Sequence, residues 1–87
     1  MTIPAAIITF YTTSRVALCA DGHHPVAGVT VAGPRWVPLG TMVEIGGHRY
    51  RVMDHTARRF DGRWDIYVPT RAEAVRLGKR KMKVITK

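Results

Sequence analysis

The chain has 87 residues, 46% of them hydrophobic, a formal net charge of +8 and one cysteine. A chain of this size makes one domain and buries about 60–65% of the surface its unfolded form exposes. Cys19 alone excludes an internal disulfide framework, so the core must hold the fold.

The opening "MTIPAAIITFY" is apolar over only a few residues and lacks a positive n-region. It reads as neither a signal peptide nor a membrane span. The expectation is a protein made soluble in the cytoplasm. Twelve of the 14 Lys and Arg lie from Arg49 onward, which suggests a basic face and an anionic partner, with simple solubility as the alternative.

In chain order, β-branched and aromatic residues predict a first strand over Ala6–Thr13, "AIITFYTT". A loop, "SRVALCADGHHPVAG", leads to a short apolar strand at Val29–Ala32. "GPRWVPLG" is punctuated by Gly and Pro and reads as irregular. "TMVEIGGHRYRVMD" predicts a hairpin, with Met42–Ile45 and His48–Met53 joined by Gly46-Gly47. After "HTARRFDGR", Trp64, Ile66 and Val68 alternate with Asp65 and Tyr67 in a period-two strand. Aspartate is disfavoured in such a position.

Thr70 as N-cap and Glu73 three residues later predict a capping box opening a short helix, Arg71–Leu77. Gly78 supplies a left-handed stop. A last strand follows at Met82–Thr86. Five or six strands in so short a chain must close on one another to remove edges, so a small β-barrel is the expected packing.

Three ordered segments resemble a known family. "CADGHHPVAGVTVAGPRWVPLGTMVEI" is similar to the stretch of the three-aspartate (3D) domain family running from Thr-Ala-Ser-Gly through Asp-Pro to Ile-Pro-Leu-Gly-Thr. "MDHTARRFDGRWDIYVPTRAEAVRLGKRKMKV" resembles that family's Asp-Thr-Gly-Gly…Ile-Asp-Leu-Tyr segment with its helix and closing strand, and "TFYTTS" looks like its first strand. Rare lipoprotein A and membrane-bound lytic transglycosylase A carry related versions. The resemblance covers residues 8 to 86 and implies a mainly β fold, a small six-stranded double-psi β-barrel with one or two short helices.

The resemblance also implies a function. Such families include lytic transglycosylases, which cleave between N-acetylmuramic acid and N-acetylglucosamine of peptidoglycan and leave a 1,6-anhydro ring. Asp54 and Asp65 fall on the family's second and third aspartates, and Asp65 on the catalytic acid/base. Tyr11 and Thr12 match cleft-lining residues of the first strand. The family's first aspartate falls on Gly33, Asp21 replaces a serine, and His55-Thr56-Ala57 replaces Thr-Gly-Gly.

A glycosidic acid must be protonated near neutral pH, which requires burial or a neighbouring like charge. Asp65, between Trp64 and Ile66 and sharing a face with Tyr67, is the expected acid. Asp54, at the end of a hairpin arm read as adjacent, is its expected ionised partner across one cleft. Transglycosylation needs only one carboxylate, because the substrate's own C6 hydroxyl is the nucleophile. The alternative for both aspartates is loop capping and ion pairing to Arg58, Arg59 or Arg63. Tyr11, Thr12, Asp21, Gly33, His55, Thr56 and Tyr67 make up the expected substrate-binding set. Trp36 and Trp64 are open to sugar stacking or to packing.

No cofactor and no metal is expected. The Cys19, Asp21, His23, His24 spacing matches no structural zinc pattern; the histidines read as exposed loop residues and Cys19 as a small buried hydrophobe. The expected partners are peptidoglycan glycan strands, with anionic wall polymers on the basic face, no nucleic acid and no transmembrane segment, in a monomer. Action on the cell wall, in the periplasm or outside the cell, then requires release by a holin-like partner of a phage or prophage, or a trimmed form of a longer protein. Two other readings stay open. One is a non-catalytic, expansin-like polysaccharide-binding module, favoured by Gly33. The other is a DNA-binding barrel, for which no recognition helix or base-reading motif is visible.

Overall fold

The computed structural model describes residues 1–14 and 16–87. Six strands run in chain order: β1 (Thr2–Tyr11), β2 (Thr30–Gly33), β3 (Met42–Ile45), β4 (His48–His55), β5 (Arg63–Tyr67) and β6 (Arg80–Thr86). A short helix, α1 (Arg71–Leu77), precedes β6, and a 3-10 turn, Arg58–Phe60, precedes β5. The strands close into a barrel in the order β1-β5-β2-β4-β3-β6. The mainly β, six-stranded closed barrel expected from the sequence is the observed fold.

Two ladders are parallel, β1 with β5 and β2 with β4; the other four are antiparallel. Exchanging β1, β2, β3 for β4, β5, β6 maps this pattern onto itself. Every one of the six ladders joins a strand of the first half to a strand of the second. The two parallel crossovers therefore interlock, which is the double-psi arrangement.

Each strand contributes one apolar side chain wholly out of solvent: Ile8, Val31, Val43, Val52, Trp64 and Val84. β-Branched residues dominate this set, as suits a pleated and closely packed wall. Trp64 is the largest of them and fills the middle of a narrow barrel. Its alternation with Asp65 is the strand period at work: Trp64 and Ile66 face the core, while Arg63, Asp65 and Tyr67 face outward.

Several boundaries differ from those expected. β1 starts at Thr2 and stops at Tyr11, leaving Thr12 and Thr13 outside the strand. Its ladder with β6 is irregular between Ile3 and Ala6, where Pro4 lacks the N–H that a regular ladder would use. β4 runs two residues past Met53 and takes in Asp54 and His55.

The helix has the bounds expected, and the Thr70 hydroxyl accepts from the Glu73 N–H at 3.2 Å. Among the described residues the Glu73 side chain makes no return bond, so only half of the capping box forms. Gly78 stops the helix at φ 65 and ψ −137, a glycine conformation distinct from the left-handed helical one anticipated. No helix among the described residues is long and apolar enough to cross a membrane.

Candidate functional site

The outer face of the barrel carries one cross-strand row of interest. Thr9 of β1 pairs with Asp65 of β5, Asp65 with Ala32 of β2, and Ala32 with Asp54 of β4. In-register residues share a face, so both carboxylates lie on the same side of the sheet. β2 stands between their strands, which places them two strand spacings apart, roughly 10 Å. The expectation that the hairpin arm ending in Asp54 neighbours the Asp65 strand is thereby corrected.

Asp54 owes its direction to a bulge. Val31 pairs with Val52, yet Ala32 pairs with Asp54, so Met53 is an extra residue on β4. Strict alternation from Val52 would turn Asp54 into the core; the inserted residue turns it outward. Met53 stays buried, and the buried Thr30 hydroxyl donates to its Sδ at 2.9 Å.

The two aspartates open into different cavities. Asp65 lines a cleft of about 400 Å³ with Thr9, Phe10, Thr56, Ala57, Phe60 and Arg63. Asp54 lines one of about 150 Å³ with Tyr11, Thr12, Cys19 and Pro25 among others. The single cleft expected to hold both is thus two. A third and larger cavity, about 470 Å³, lies where β3 turns into β4 and is lined mainly by apolar groups such as Phe10, Ile45, Leu77 and Met82. Of the expected residues only Tyr67 reaches it, and the carboxylate that lines it is Glu73 of α1.

Asp65 is half-buried, and its Oδ1 is out of solvent with no hydrogen-bond partner. Burial raises its pKa above the ordinary 3.8; favourable contact with Thr9 and the charge of Arg63 pull the other way without cancelling the rise. Neither Asp65 nor Asp54 forms an ion pair among the described residues, where His23 with Asp21 is the one pair within range. The alternative of strand-end ion pairing to Arg58, Arg59 or Arg63 is therefore not what holds these aspartates.

Asp54 is differently engaged, its Oδ1 accepting from the His55 N–H at 2.8 Å. The link between the two carboxylates is Tyr11. Burial first, then the charges of Cys19, Asp54, Asp65 and Tyr67, push its phenol well above the ordinary tyrosine range. Tyr11 therefore keeps its proton and offers a donor within the field of both. It also packs edge-on against Tyr67, with ring centroids 5.7 Å apart. Burial, followed by Asp54 and Asp21, pushes the Cys19 thiol up to about 11, so it is a protonated, unreactive side chain.

The remaining expected residues divide. Thr56 is buried, its N–H donates to the Gly33 carbonyl at 3.0 Å, and its hydroxyl is unpartnered within the Asp65 cleft. Thr12 joins Asp54, and Asp21 accepts from the His23 N–H at 2.9 Å in a tight loop turn. His55 points its Nε2 to the Val37 carbonyl at 2.8 Å and braces the β2–β3 loop.

Gly33 faces inward. A Cβ there would sit 3.1 Å from Cζ3 of Trp64 and 3.4 Å from Cγ1 of Val52. A side chain at this position would meet the core and not the Asp65 cleft. Trp64 is core; Trp36 is exposed and packs edge-on against it, centroids 6.3 Å apart.

Thr9, Phe60 and Arg63 belong to the cleft although the sequence pattern did not select them. Thr9 is in register with Asp65, a pairing visible only once β1 and β5 are known to be parallel. His23 and His24 are exposed, and among the described residues no three His, Cys, Asp or Glu side chains group as a metal site would require.

A scan against protein-family models gives no match to the chain, and a search of curated proteins gives none either.

Proposed function

We propose that the protein is a lytic transglycosylase acting on peptidoglycan glycan strands, as its resemblance to the three-aspartate domain family implies, with Asp65 as the single acid/base. The observation that carries the reading is the state of that carboxylate. It is half-buried in a cleft, raised in pKa, unpaired by any cation among the described residues, and leaves one oxygen without a partner. A structural aspartate would spend its oxygens on capping bonds or ion pairs. Asp65 holds one in reserve.

Protonated Asp65 gives its proton to the glycosidic oxygen as the muramic C1–O bond breaks and C1 becomes oxocarbenium-like. The C6 hydroxyl of the same sugar closes on C1, and its proton passes to the Asp65 carboxylate, which restores the acid. No water is activated, so the absence of Asp54 from this cleft does not interrupt the sequence. Tyr11 supplies a protonated donor towards the Asp54 side.

Digestion of purified sacculi, with the released muropeptides weighed, tests the reading. Anhydro-products that vanish in Asp65→Asn support it. Reducing-end products would require water activation, a second carboxylate role and therefore a different mechanism.

One observation favours a second reading. Asp65 has no other carboxylate in its cleft, an arrangement that also suits a non-catalytic, expansin-like module that binds glycan without cleaving it. Saccharide binding with no release of fragments by the folded protein would decide for that module.

A further inference from the structure

The turn that leads into β5 supplies three arginines, of which Arg63 lines the Asp65 cleft and Arg59 lies against its wall residue Phe60. Arg58 and Arg59 lie in the 3-10 turn with Phe60, and Arg63 opens the strand. The guanidiniums of Arg59 and Arg63 each lie 4.8 Å from the centroid of the Phe60 ring. Phe60 and Arg63 are themselves walls of the cleft.

None of these arginines has an acidic partner within ion-pair range among the described residues. Asp61, the carboxylate nearest in sequence, turns its Oδ1 to the Arg35 N–H at 2.9 Å. Two like charges thus converge on one aromatic ring with no counter-charge. Contact with the ring restrains both side chains and lowers the entropy that binding would cost. A guanidinium held this way presents a fork of N–H donors matched to a carboxylate or a phosphate.

We propose that Arg59 and Arg63, stacked on Phe60, form an oxyanion subsite that selects polymers carrying a carboxylate or phosphate beside the sugar entering the Asp65 cleft. The identity of that sugar polymer rests on the function proposed above; the anion preference does not.

The subsite is coupled to the acid. The groups facing Asp65 are Thr9 and Tyr11 from β1, Arg63 and Tyr67 from its own strand, Asp54 from β4 beyond Ala32, and Thr56 from the loop after β4. Arg63 is the one cation among them. An anion seated on Arg63 neutralises the charge that favours ionised Asp65, so an anionic substrate promotes protonation of the acid that cleaves it.

Titration calorimetry of the wild-type protein at low salt, with three non-cleaved probes, tests this. The probes are chitohexaose (neutral), tetragalacturonate (carboxylates) and poly(glycerol phosphate). An anionic probe is expected to bind about ten-fold or more tightly than chitohexaose, and that excess is expected to disappear in Arg59→Ala/Arg63→Ala.

Lysines at both positions should fail to restore it, since a point charge does not replace a fork. Arg59→Ala alone, at an exposed position, provides a variant with the fold undisturbed and a partial loss. The preferred anion tells whether the strand's own muramyl carboxylates or a phosphate-bearing wall polymer is the source. In carboxyl carbon NMR, the bound anion should move the Asp65 titration to higher pH in wild type and not in Arg63→Ala.

Equal binding of all three probes, unchanged binding in the alanine variants, or full rescue by lysine would each overturn the subsite. Failure of sacculus digestion with anion binding intact sinks the lyase and leaves the subsite standing.

Discussion

Asp54 and Asp65 share a face of the same barrel and one intervening residue, Ala32, yet their surroundings have little in common. Asp54 gives an oxygen to the neighbouring His55 N–H and fronts the smaller cavity. Asp65 keeps an oxygen unpartnered, has its pKa raised by burial, and fronts a cleft more than twice as large. Environment, rather than residue type or spacing, separates the two: one carboxylate braces a backbone N–H, and the other is left for the proton transfer proposed above. Paired carboxylates with divergent environments are how one site runs acid chemistry at neutral pH.

The sharpest way to break this contrast is to remove each carboxyl charge in turn. Asp65→Asn should reduce anhydro-muropeptide release about 10²- to 10⁴-fold, the usual worth of a positioned general acid. Asp54→Asn should cost far less, and a loss equal to that of Asp65→Asn in the same assay would mean the two act as one unit.

Gly33 probes whether the inner wall beneath the cleft tolerates change. Gly33→Ala places a methyl 3.1 Å from the Trp64 ring, and overpacking of this kind costs about 1–3 kcal/mol. Urea denaturation measures it, and an unchanged midpoint would mean that Trp64 yields freely. Asp54→Ala removes one hydrogen bond to a backbone N–H and should lower stability by about 1 kcal/mol in the same experiment.

The smallest effect is a pH signature that separates the pair. Because Asp65 is raised on folding, the native state holds a proton that the unfolded chain has released. Stability therefore falls as pH rises from the ordinary 3.8 towards the raised native value, and below 3.8 the contribution disappears. Asp65→Asn should abolish this slope and leave the protein slightly more stable at pH 7. Activity that depends on protonated Asp65 should decline with rising pH over the same native titration.

Much of this was legible from local chemistry. "DGRWDIYVP" alternates, and its alternation alone puts Trp64 and Ile66 inside and Asp65 outside. "PTRAEAVRLG" carries its own start and stop, and α1 has the bounds those residues specify. What the sequence could not disclose is which strands become neighbours. β2 inserts between β4 and β5, so Asp54 lies a strand further from Asp65 than the hairpin reading implied.

The Met53 bulge is equally silent in sequence, since nothing in "YRVMDH" marks where alternation slips. Gly33 reads as a missing side chain until Trp64 is seen to occupy the space. The Arg59–Phe60–Arg63 stack falls in a segment that reads only as a polar connection, and its geometry comes from the turn.

The interlock of the two halves has a consequence for how the molecule comes into being. Among the described residues, no strand of the half ending at Ile45 pairs with another strand of that half, and the same holds for the half beginning at His48. The first strand waits for the fifth and sixth, and every ladder except the β3–β4 hairpin closes over a long stretch of chain, so refolding should be slow for so small a protein. Cleavage at Gly46-Gly47 should yield two fragments that are each disordered alone and that rebuild the barrel when mixed.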